Sequence, residues 1–373
     1  MPTFRFALLL AAVALAGLAG CGDSPSGPAN GSDVVGGVDV AALFAPPTMA
    51  ERAQVESEWA GWSPAAEGVT LEGAGSASLG GEDVEVRVVS HLVQGRRHTG
   101  ALLLPTVPPS EPVPVLLYLH GGDSGVDLVE VLTAVTVLGI RGRDAILVVP
   151  AFGGESLRFG GESWVAEGPS LPWTGDVEES LALLEVALET VAAADPSRIG
   201  LVGLSRGGAV GLLAGARDPR IRAVVSFFAP TDFFGPFVEG VVREVLQGVP
   251  PNLPGVVALE ELVLDPLRQG TGTLDWARLE LLRRSPARFA DRLPAVQLHH
   301  GTADTVVPVE EAERLIAAMD ALGRGEPAFE AHIYPGAGHN PFDMLLSLPR
   351  TAAFLTTHLF DGQATAVAAL SGS

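Results

Sequence analysis

Short, continuous runs of apolar residues, separated by segments with helical spacing, dominate the chain from about residue 113 onwards. Strands that are buried on both faces of a parallel sheet have this character. The clearest helical segment places Val177, Leu181, Leu184, Leu188 and Val191 at spacings of three or four residues. The alternation predicts an α/β fold with a mainly parallel, doubly wound sheet flanked by helices. The predicted buried strands are 115–119, 145–149, 199–202, 223–228 and 295–298, with a last strand at 329–334.

The pattern is different before residue 113. Thr48 followed by Glu51 fits a capping box and predicts a helix that runs to about Ala60. The Gly- and Ser-rich stretch that follows, up to Gly81, is predicted to be a loop. Alternating apolar and polar residues at 84–93, and the short run at 100–104, predict two antiparallel strands.

Polar side chains follow the predicted strands at the points where ligands gather in parallel sheets, beyond the carboxyl ends. Gly121-Gly122 follows the first buried strand, Ser205 the third and Asp232 the fourth. Asp304 comes after the fifth strand and His339 after the last. Five strand ends therefore bring a glycine-rich turn, a serine, two candidate aspartates and a histidine to one edge of the sheet.

The segment Gly203-Leu204-Ser205-Arg206-Gly207 fits the G-x-S-x-G pattern of a nucleophile elbow. A serine at the tip of a tight strand-to-helix turn adopts a strained backbone with positive φ. Side chains two residues before and after it would collide, so both places require glycine. The turn exposes the hydroxyl and points the next backbone N–H at the reacting carbonyl. A chance match to this short pattern is the competing interpretation, since 45 of the 373 residues are glycine.

Residues from about 84 to 360 resemble the α/β hydrolases, in the branch of the dienelactone hydrolases and the catalytic domains of prolyl oligopeptidases. The resemblance rests on four motifs: His120-Gly121-Gly122, the elbow around Ser205, His300-Gly301-Thr302-Ala303-Asp304 with Val307-Pro308, and Gly338-His339. It implies that Ser205 is the nucleophile, that His339 is the general base and then the general acid, and that Asp304 orients the imidazole. The backbone N–H groups of Arg206 and Gly122 are the implied oxyanion donors.

Two of these assignments have competitors in the sequence. Asp232 also follows a strand and is the alternative acid, with helix capping as its other interpretation. His299, His300 and His332 are the alternative bases. They lie in or beside strands, whereas His339 lies in a glycine-flanked loop that can direct a side chain.

Two segments are predicted to shape specificity. One is the loop 152–175, whose Phe159, Trp164 and Trp173 are candidate pocket residues. The other is the insertion 233–287, which reads as helices with Pro236 opening one of them. By resemblance to the family, this insertion forms a lid over the serine.

Composition excludes several other functions. The formal net charge of −21 and the absence of lysine argue against nucleic-acid binding. The sequence shows no cluster with metal-ligand spacing, and a phosphate-binding loop of the G-x-x-x-x-G-K type is impossible without lysine. The resemblance implies no cofactor.

The first twenty residues have the character of a signal peptide. An apolar run from Phe6 to Gly20 follows Arg5, and at fifteen residues it is short for a membrane span. Small residues before Cys21, the single cysteine, resemble the cleavage box of bacterial lipoproteins, in which the cysteine becomes the lipidated first residue. An ordinary secretory signal with an unrelated cysteine is the alternative. Localisation is therefore expected to be exported and lipid-anchored to a bacterial membrane.

The resulting domain organisation is a signal peptide (1–20), a flexible tether (21–47), a hydrolase domain (48–361) with the lid insertion (233–287), and a C-terminal tail (362–373). The predicted function is hydrolysis of the carboxylic ester of a small molecule through an acyl-serine. One alternative is a serine peptidase of the prolyl-oligopeptidase type without its propeller, for which fewer than a hundred preceding residues leave no room. The other is a catalytically silent binding protein at the cell surface.

Overall fold

A computed structural model describes residues 33–360 of the chain. The predicted signal peptide, Cys21 and the C-terminal tail lie outside the described residues. The strands are β1 (Val34–Val35), β2 (Val38–Asp39), β3 (Glu67–Leu79), β4 (Glu82–Val93), β5 (Arg96–Pro105), β6 (Val113–Leu119), β7 (Val126–Asp127), β8 (Ile146–Ala151), β9 (Ser156–Phe159), β10 (Glu162–Val165), β11 (Ala194–Leu204), β12 (Ile221–Phe227), β13 (Ala295–Gly301) and β14 (Phe329–Tyr334).

The helices alternate with the strands in the second half of the chain and cluster in the insertion. A π-helical segment, Glu260–Leu264, lies within the insertion, and short 3₁₀ turns occupy Pro286–Arg292 and Pro341–Asp343. The helices are α1 (Val40–Leu43), α2 (Met49–Ala60), α3 (Leu128–Val137), α4 (Gly175–Thr190), α5 (Arg206–Arg217), α6 (Pro236–Leu246), α7 (Val256–Leu259), α8 (Asp265–Gln269), α9 (Leu274–Arg283), α10 (Glu310–Ala321) and α11 (Ser347–His358).

A nine-stranded sheet organises the described residues, in the order β14-β13-β12-β11-β6-β8-β5-β4-β3. The six strands from β14 to β8 are parallel to their neighbours, and β5, β4 and β3 add an antiparallel edge. The predicted doubly wound, mainly parallel α/β sheet is therefore confirmed. Its apolar runs are buried because both faces are covered.

Two apolar clusters fill the two faces of this sheet. One cluster packs α4 and α5 against the sheet, with Leu181 and Val210 among its buried side chains. The other packs α3 and α11 against the opposite face, through Val131 and Leu355. Because the sheet is held from both sides, the carboxyl ends of its parallel strands form a rigid edge.

The stretch before Gly81 differs from its prediction, since β3 occupies Glu67–Leu79 where a loop was expected. β3 is an edge strand that pairs with β4 and is exposed along most of its length, so its composition is polar. Its glycines have a packing role: a Cβ at Gly73 would lie 2.7 Å from the ring of Trp164. A Cβ at Gly75 would similarly lie 2.9 Å from the ring of Phe159. The glycine content therefore marks a site of close aromatic packing on β3.

The end of the predicted tether also differs. Residues 34–43 form the β1–β2 hairpin and α1, with Val40 and Leu43 fully buried in the larger apolar cluster. Arg278 of α9 donates hydrogen bonds to the carbonyl oxygens of Ala42 and Leu43 at 2.9 and 3.0 Å. The folded domain therefore begins before Thr48, the boundary that the sequence analysis predicted.

The helices predicted from capping and spacing are present. α2 has the capping box of Thr48 and Glu51, and α4 occupies the segment with helical periodicity. The insertion 233–287 is helical, with Pro236 at the start of α6. Within residues 33–360, no helix is long and apolar enough to cross a lipid bilayer.

Candidate active site

Ser205 lies at the junction between β11 and α5, with the strained backbone angles φ 54° and ψ −117°. Its backbone N–H donates to the carbonyl of Phe227 at 2.8 Å, which ties the turn to the end of β12. A Cβ at Gly203 would lie 2.1 Å from the carbonyl oxygen of Gly207. A Cβ at Gly207 would lie 2.1 Å from the carbonyl oxygen of Leu119. Both glycines of the predicted elbow are therefore required by close backbone contacts.

His339 and Asp304 form a close pair in the loops that follow β14 and β13. His339 Nδ1 lies 2.7 Å from Asp304 Oδ2, within hydrogen-bond distance. The other carboxylate oxygen, Oδ1, accepts the backbone N–H groups of Val306 and Val307, both at 2.9 Å. Burial opposes ionisation of Asp304, but the hydrogen bonds from His339 and these N–H groups outweigh it and lower the pKa of the carboxyl. Asp304 is therefore an ionised, immobilised acceptor for the imidazole.

The histidine and the serine lie at the same end of β12. The ring of His339 packs on Phe228 with centroids 4.2 Å apart, and Phe228 directly follows the residue that binds the Ser205 N–H. Among the hydrogen bonds of the described residues, none joins Ser205 Oγ to His339. Catalytic hydrogen bonds are often long before substrate binds and shorten in the Michaelis complex.

The competing acid, Asp232, has other partners. Its carboxylate accepts hydrogen bonds from Arg288 at 2.9 and 2.8 Å and from Arg314 at 3.0 Å. It also accepts the backbone N–H of Phe234 at 3.1 Å, which is a local turn contact. The structure therefore brings Asp304, rather than Asp232, to His339.

The competing bases have structural contacts instead. His299 is fully buried in β13 between Tyr334 and Gln297, at 2.8 and 2.9 Å. His300 Nε2 lies 2.8 Å from the carbonyl oxygen of Val307 and thereby holds the loop that carries Asp304. His332 lies in the edge strand β14 and pairs with Glu330 on its own strand.

Both predicted oxyanion donors lie near the serine turn. The N–H of Arg206 is the first of helix α5, where no preceding helical carbonyl is available to it. Gly122 has a φ of +72°, a conformation that glycine adopts without strain. Beside it, His120 is buried and stacks on Phe152, with centroids 4.3 Å apart. The neighbouring Gly121 lies against the elbow, since a Cβ there would lie 2.9 Å from the carbonyl oxygen of Leu204.

The side chain of Arg206 forms a buried ion network that the sequence analysis missed. Asp176 binds its guanidinium through two hydrogen bonds of 2.7 Å, and Glu155 binds it through one of 2.5 Å. The ring of Phe152 lies under the guanidinium at 4.7 Å. Arg206 also donates to the carbonyl oxygen of Gly122 at 3.1 Å. The only signal in the sequence was a charged residue inside an otherwise small and apolar elbow.

An apolar cavity opens beside Ser205, under the helices of the insertion. The volume of this cavity is about 70 Å³. Trp173 of the loop 152–175 contributes to its wall, whereas Phe159 and Trp164 pack on β3 instead. The remaining wall residues come from the ends of β12 and β13, α6 and α7, and include Phe233, Phe237, Val238, Val241, Leu253 and Val256.

No group of three or more His, Cys, Asp or Glu side chains within residues 33–360 is arranged to hold a metal ion.

Two family models match different parts of the chain. The putative esterase model matches residues 91–246, which include Gly122 and Ser205. The prolyl oligopeptidase family model matches residues 259–360, which include Asp304 and His339. A search of curated protein sequences finds no match.

Solved structures with the same fold include esterases and peptidases. Acetyl xylan esterase 1 from Thermoanaerobacterium sp. JW/SL YS485 is 18% identical, with a TM-score of 0.55, over 84% of this chain and 93% of that one. A puromycin hydrolase is 16% identical, with a TM-score of 0.52, over 79% of this chain and 47% of that one. An acylaminoacyl peptidase from Pyrococcus horikoshii is 17% identical, with a TM-score of 0.51, over 73% and 40%.

The chain thus spans nearly the whole of that esterase but less than half of each of these two larger proteins. The sheet order, the serine elbow, the two family models and the similar structures agree with one another. The chain has the α/β-hydrolase fold, and models of two hydrolase families match separate parts of it.

Proposed function

We propose that this protein is a serine esterase that cleaves carboxylic esters with Ser205 as nucleophile, His339 as general base and Asp304 as its orienting acid. The observation that carries the proposal is the 2.7 Å contact between His339 Nδ1 and Asp304, in loops that follow two neighbouring strands beside the strained Ser205. This contact fixes the tautomer that leaves Nε2 free to take the serine proton.

The proposed reaction has two halves. Ser205 Oγ attacks the ester carbonyl carbon while His339 takes its proton, and the resulting oxyanion accepts hydrogen bonds from the N–H groups of Arg206 and Gly122. His339 then returns the proton to the leaving alcohol, and the acyl group stays on the serine. Water, activated by the same imidazole, attacks the acyl-serine and releases the acid.

The test is labelling of the full-length protein with a fluorophosphonate probe, together with hydrolysis of p-nitrophenyl butyrate. Wild type is expected to label and to hydrolyse the ester, and Ser205→Ala is expected to lose both. Ser197→Ala is the matched control, because Ser197 is an exposed serine near the start of β11. Absence of labelling in folded wild type would instead support a catalytically silent binding protein.

Peptide hydrolysis is the second candidate function, favoured by the prolyl oligopeptidase model that matches residues 259–360. The same three residues could cleave an amide, since His339 would protonate the leaving amine. Esters and p-nitroanilides of the same acyl group separate the two functions. A kcat/KM for the anilide at or above that for the ester would reverse the proposal.

We also propose that Cys21 is lipidated and anchors the protein to a membrane. The proposal is supported by the sequence around Cys21, where small residues follow an apolar run. Metabolic labelling with an alkyne fatty acid in a bacterial host tests it. Label on wild type that is lost in Cys21→Ser supports the anchor, and equal labelling of the two proteins contradicts it.

A further inference from the structure

We infer that the cavity beside Ser205 binds the acyl chain of the substrate, and that the preferred esters carry uncharged apolar acids of about four carbons. This inference rests on the proposed esterase function. It adds the class and size of the substrate, which the triad does not specify.

The chemistry of the cavity wall disfavours charged groups. Apart from Ser205, Arg206 and the indole N–H of Trp173, the wall consists of apolar side-chain groups, proline and Gly255. The guanidinium of Arg206 is already bound by Asp176 and Glu155. An ammonium that entered the cavity would lose its hydration without gaining a partner, and a carboxylate or a hydroxyl would find a single donor, the Trp173 N–H, which has no partner among the described residues. A mainly apolar occupant therefore fits the cavity best.

The position of the cavity identifies which side of the ester enters it. Ser205 lines the cavity, whereas His339 does not lie among the wall residues of the described chain. His339 has to reach the oxygen of the leaving alcohol in order to protonate it. The alcohol therefore lies on the side of His339, and the acyl chain, which stays on the serine, occupies the cavity.

The volume sets the length of the chain. An apolar cavity of about 150 Å³ holds the six carbons of benzene, so 70 Å³ holds about three non-hydrogen atoms. Three atoms beyond the carbonyl carbon make a butyryl group. Gly255 and Trp173 are in contact in the wall: a Cβ on Gly255 would lie 2.6 Å from the indole ring.

The experiment measures kcat/KM of the full-length protein for p-nitrophenyl esters from acetate to decanoate. Burial of one methylene group corresponds to a gain of about fourfold. We expect butyrate to exceed acetate on the order of tenfold, and decanoate to bring no further gain over butyrate. An optimum at acetate, or a continuous rise to decanoate, would overturn the inference.

Two matched variants locate the effect in the cavity. Val241→Phe fills the space and should lower the ratio of butyrate to acetate at least threefold. Val257→Phe makes the same change on α7 at an exposed residue outside the wall and should keep the wild-type profile. Phe237→Ala enlarges the space and should move the optimum to longer acids. Identical profiles for wild type, Val241→Phe and Phe237→Ala would refute the assignment.

Failure of this inference is distinguishable from failure of the proposed function. A protein that reacts with fluorophosphonate and cleaves every ester equally retains the esterase assignment and loses the acyl pocket. A folded protein that neither labels nor cleaves any ester loses both.

A different observation, the buried ion network, carries a second inference: the structure assigns the side chain of Arg206 as a positioning residue for the oxyanion turn. Arg206 Nη1 donates to the carbonyl oxygen of Gly122 at 3.1 Å. Glu155, which also binds Arg206, accepts the backbone N–H of Gly125 at 3.1 Å. The two side chains thus hold both ends of the turn 122–125.

The network can hold the turn in one position because it is buried and hydrogen-bonded at several points. Asp176 holds the guanidinium through two hydrogen bonds, and all three charged side chains are at least nine-tenths buried. A displaced Gly122 would bind the ground-state ester almost as well but would stabilise the oxyanion less. Loss of the network should therefore reduce kcat more than it changes KM.

Arg206→Lys tests this role, because a lysine cannot reproduce the planar, multidentate contacts. We expect kcat to fall about 10- to 100-fold with KM changed less than threefold, and the rate of fluorophosphonate labelling to fall in parallel. Arg217→Lys is the control: it makes the same change in the same helix at a buried arginine whose ion pair is with Glu178. It should keep kcat.

Glu155→Gln provides a milder variant in case Arg206→Lys does not fold. It preserves the size of the side chain and weakens one anchor, so kcat should fall about tenfold. Unchanged kcat in Arg206→Lys, or an equal loss of kcat in Arg217→Lys, would overturn the positioning role. If wild type neither labels nor hydrolyses esters, the esterase proposal itself fails.

Discussion

At the scale of single residues, the site depends both on the side chains that react and on the absence of side chains at the neighbouring glycines. Ser205 must hold a strained conformation, and the absence of side chains at Gly203 and Gly207 permits it. The two candidate aspartates differ in their partners. Asp232 and Asp304 each follow a parallel strand, but neighbouring arginines bind the carboxylate of Asp232. Local surroundings decide which of two similar residues can serve the histidine.

Gly207→Ala should lower the free energy of unfolding by about 2–4 kcal/mol, because its methyl group would overlap the carbonyl of Leu119. Denaturant titration followed by tryptophan fluorescence measures the change. Gly240→Ala is the control, since a Cβ there meets nothing within 4 Å and alanine favours helix α6. Equal stability of Gly207→Ala and wild type would contradict the packing described for the elbow.

Asp304→Asn should reduce kcat about 10³- to 10⁴-fold, because the amide no longer holds the imidazole in the required tautomer. Asp232→Asn should keep most of kcat and lose stability instead, since it weakens the contacts with Arg288 and Arg314. Ester hydrolysis and thermal melting, measured on both variants, separate the two effects. The opposite pattern would exchange the roles of the two aspartates.

At the scale of elements, the sequence predicts buried structure well and exposed structure poorly. The strand at Phe329–Tyr334 has the predicted bounds, and the other parallel strands contain the predicted apolar runs or overlap most of them. Burial on both faces leaves a strong apolar signal there. The edge strand β3 has neither face covered along most of its length, so only its pairing with β4, which is a long-range property, identifies it.

The residues of the candidate site also divide into those that the sequence predicts and those that it does not. Ser205, Asp304 and His339 were predicted because each follows a buried strand in a recognisable motif. Glu155 and Asp176 were missed because they act through Arg206, at sequence separations of 51 and 30 residues. No local pattern records a contact of that kind, which is created only when the loop before α4 and the first turn of α4 pack on the elbow.

One arginine, Arg278, provides several of the polar contacts that attach the N-terminal segment. The guanidinium of Arg278 binds Glu51 and the four carbonyl groups of residues 42, 43, 45 and 46. Arg278→Met should lower the free energy of unfolding by about 2–4 kcal/mol, because those partners lose a buried donor. Denaturant titration measures the change.

Arg268→Met is the matched control for that attachment. Arg268 is also an ion-paired arginine of the insertion, but its side chain and both its partners are more exposed, so its loss should cost less than about 1 kcal/mol. Equal destabilisation by the two variants would show that Arg278 has no special role. Proteolysis between residues 33 and 47, faster in Arg278→Met than in wild type, would locate the change.

At the scale of the whole molecule, buried ionisable groups set a pH window for stability. Burial raises the pKa of Glu179 to about 8, and the nearby Asp176 adds to the effect. Burial lowers the pKa of His98 to about 4 and that of His120 to about 4. The carboxyl therefore prefers to fold protonated, and the histidines prefer to fold neutral.

The signs of these contributions are opposite. The contribution of Glu179 is fully present below the usual carboxyl pKa of 4.5 and is lost as the pH rises towards 8. The contribution of the two histidines is present above their usual pKa of 6.5 and is lost as the pH falls towards 4. Stability is therefore expected to be highest near pH 6.5 and to decline on both sides.

Glu179→Gln should flatten the alkaline side of this profile, because a neutral amide has no proton to release. The free energy of unfolding, measured from pH 6.5 to 8.5, should fall less in the variant than in wild type. Glu244→Gln is the control, since Glu244 is exposed on α6. Parallel profiles for wild type and Glu179→Gln would contradict the role assigned to this carboxyl.

The two family models leave residues 247–258 unmatched, and Leu253, Gly255 and Val256 of the cavity wall lie in that interval. The residues proposed for bond cleavage all lie on either side of it. Mutation or loop exchange within these twelve residues is therefore expected to change which acids the enzyme prefers, without changing the residues proposed for bond cleavage. Laboratory evolution of this chain towards new esters should accumulate its first productive changes there.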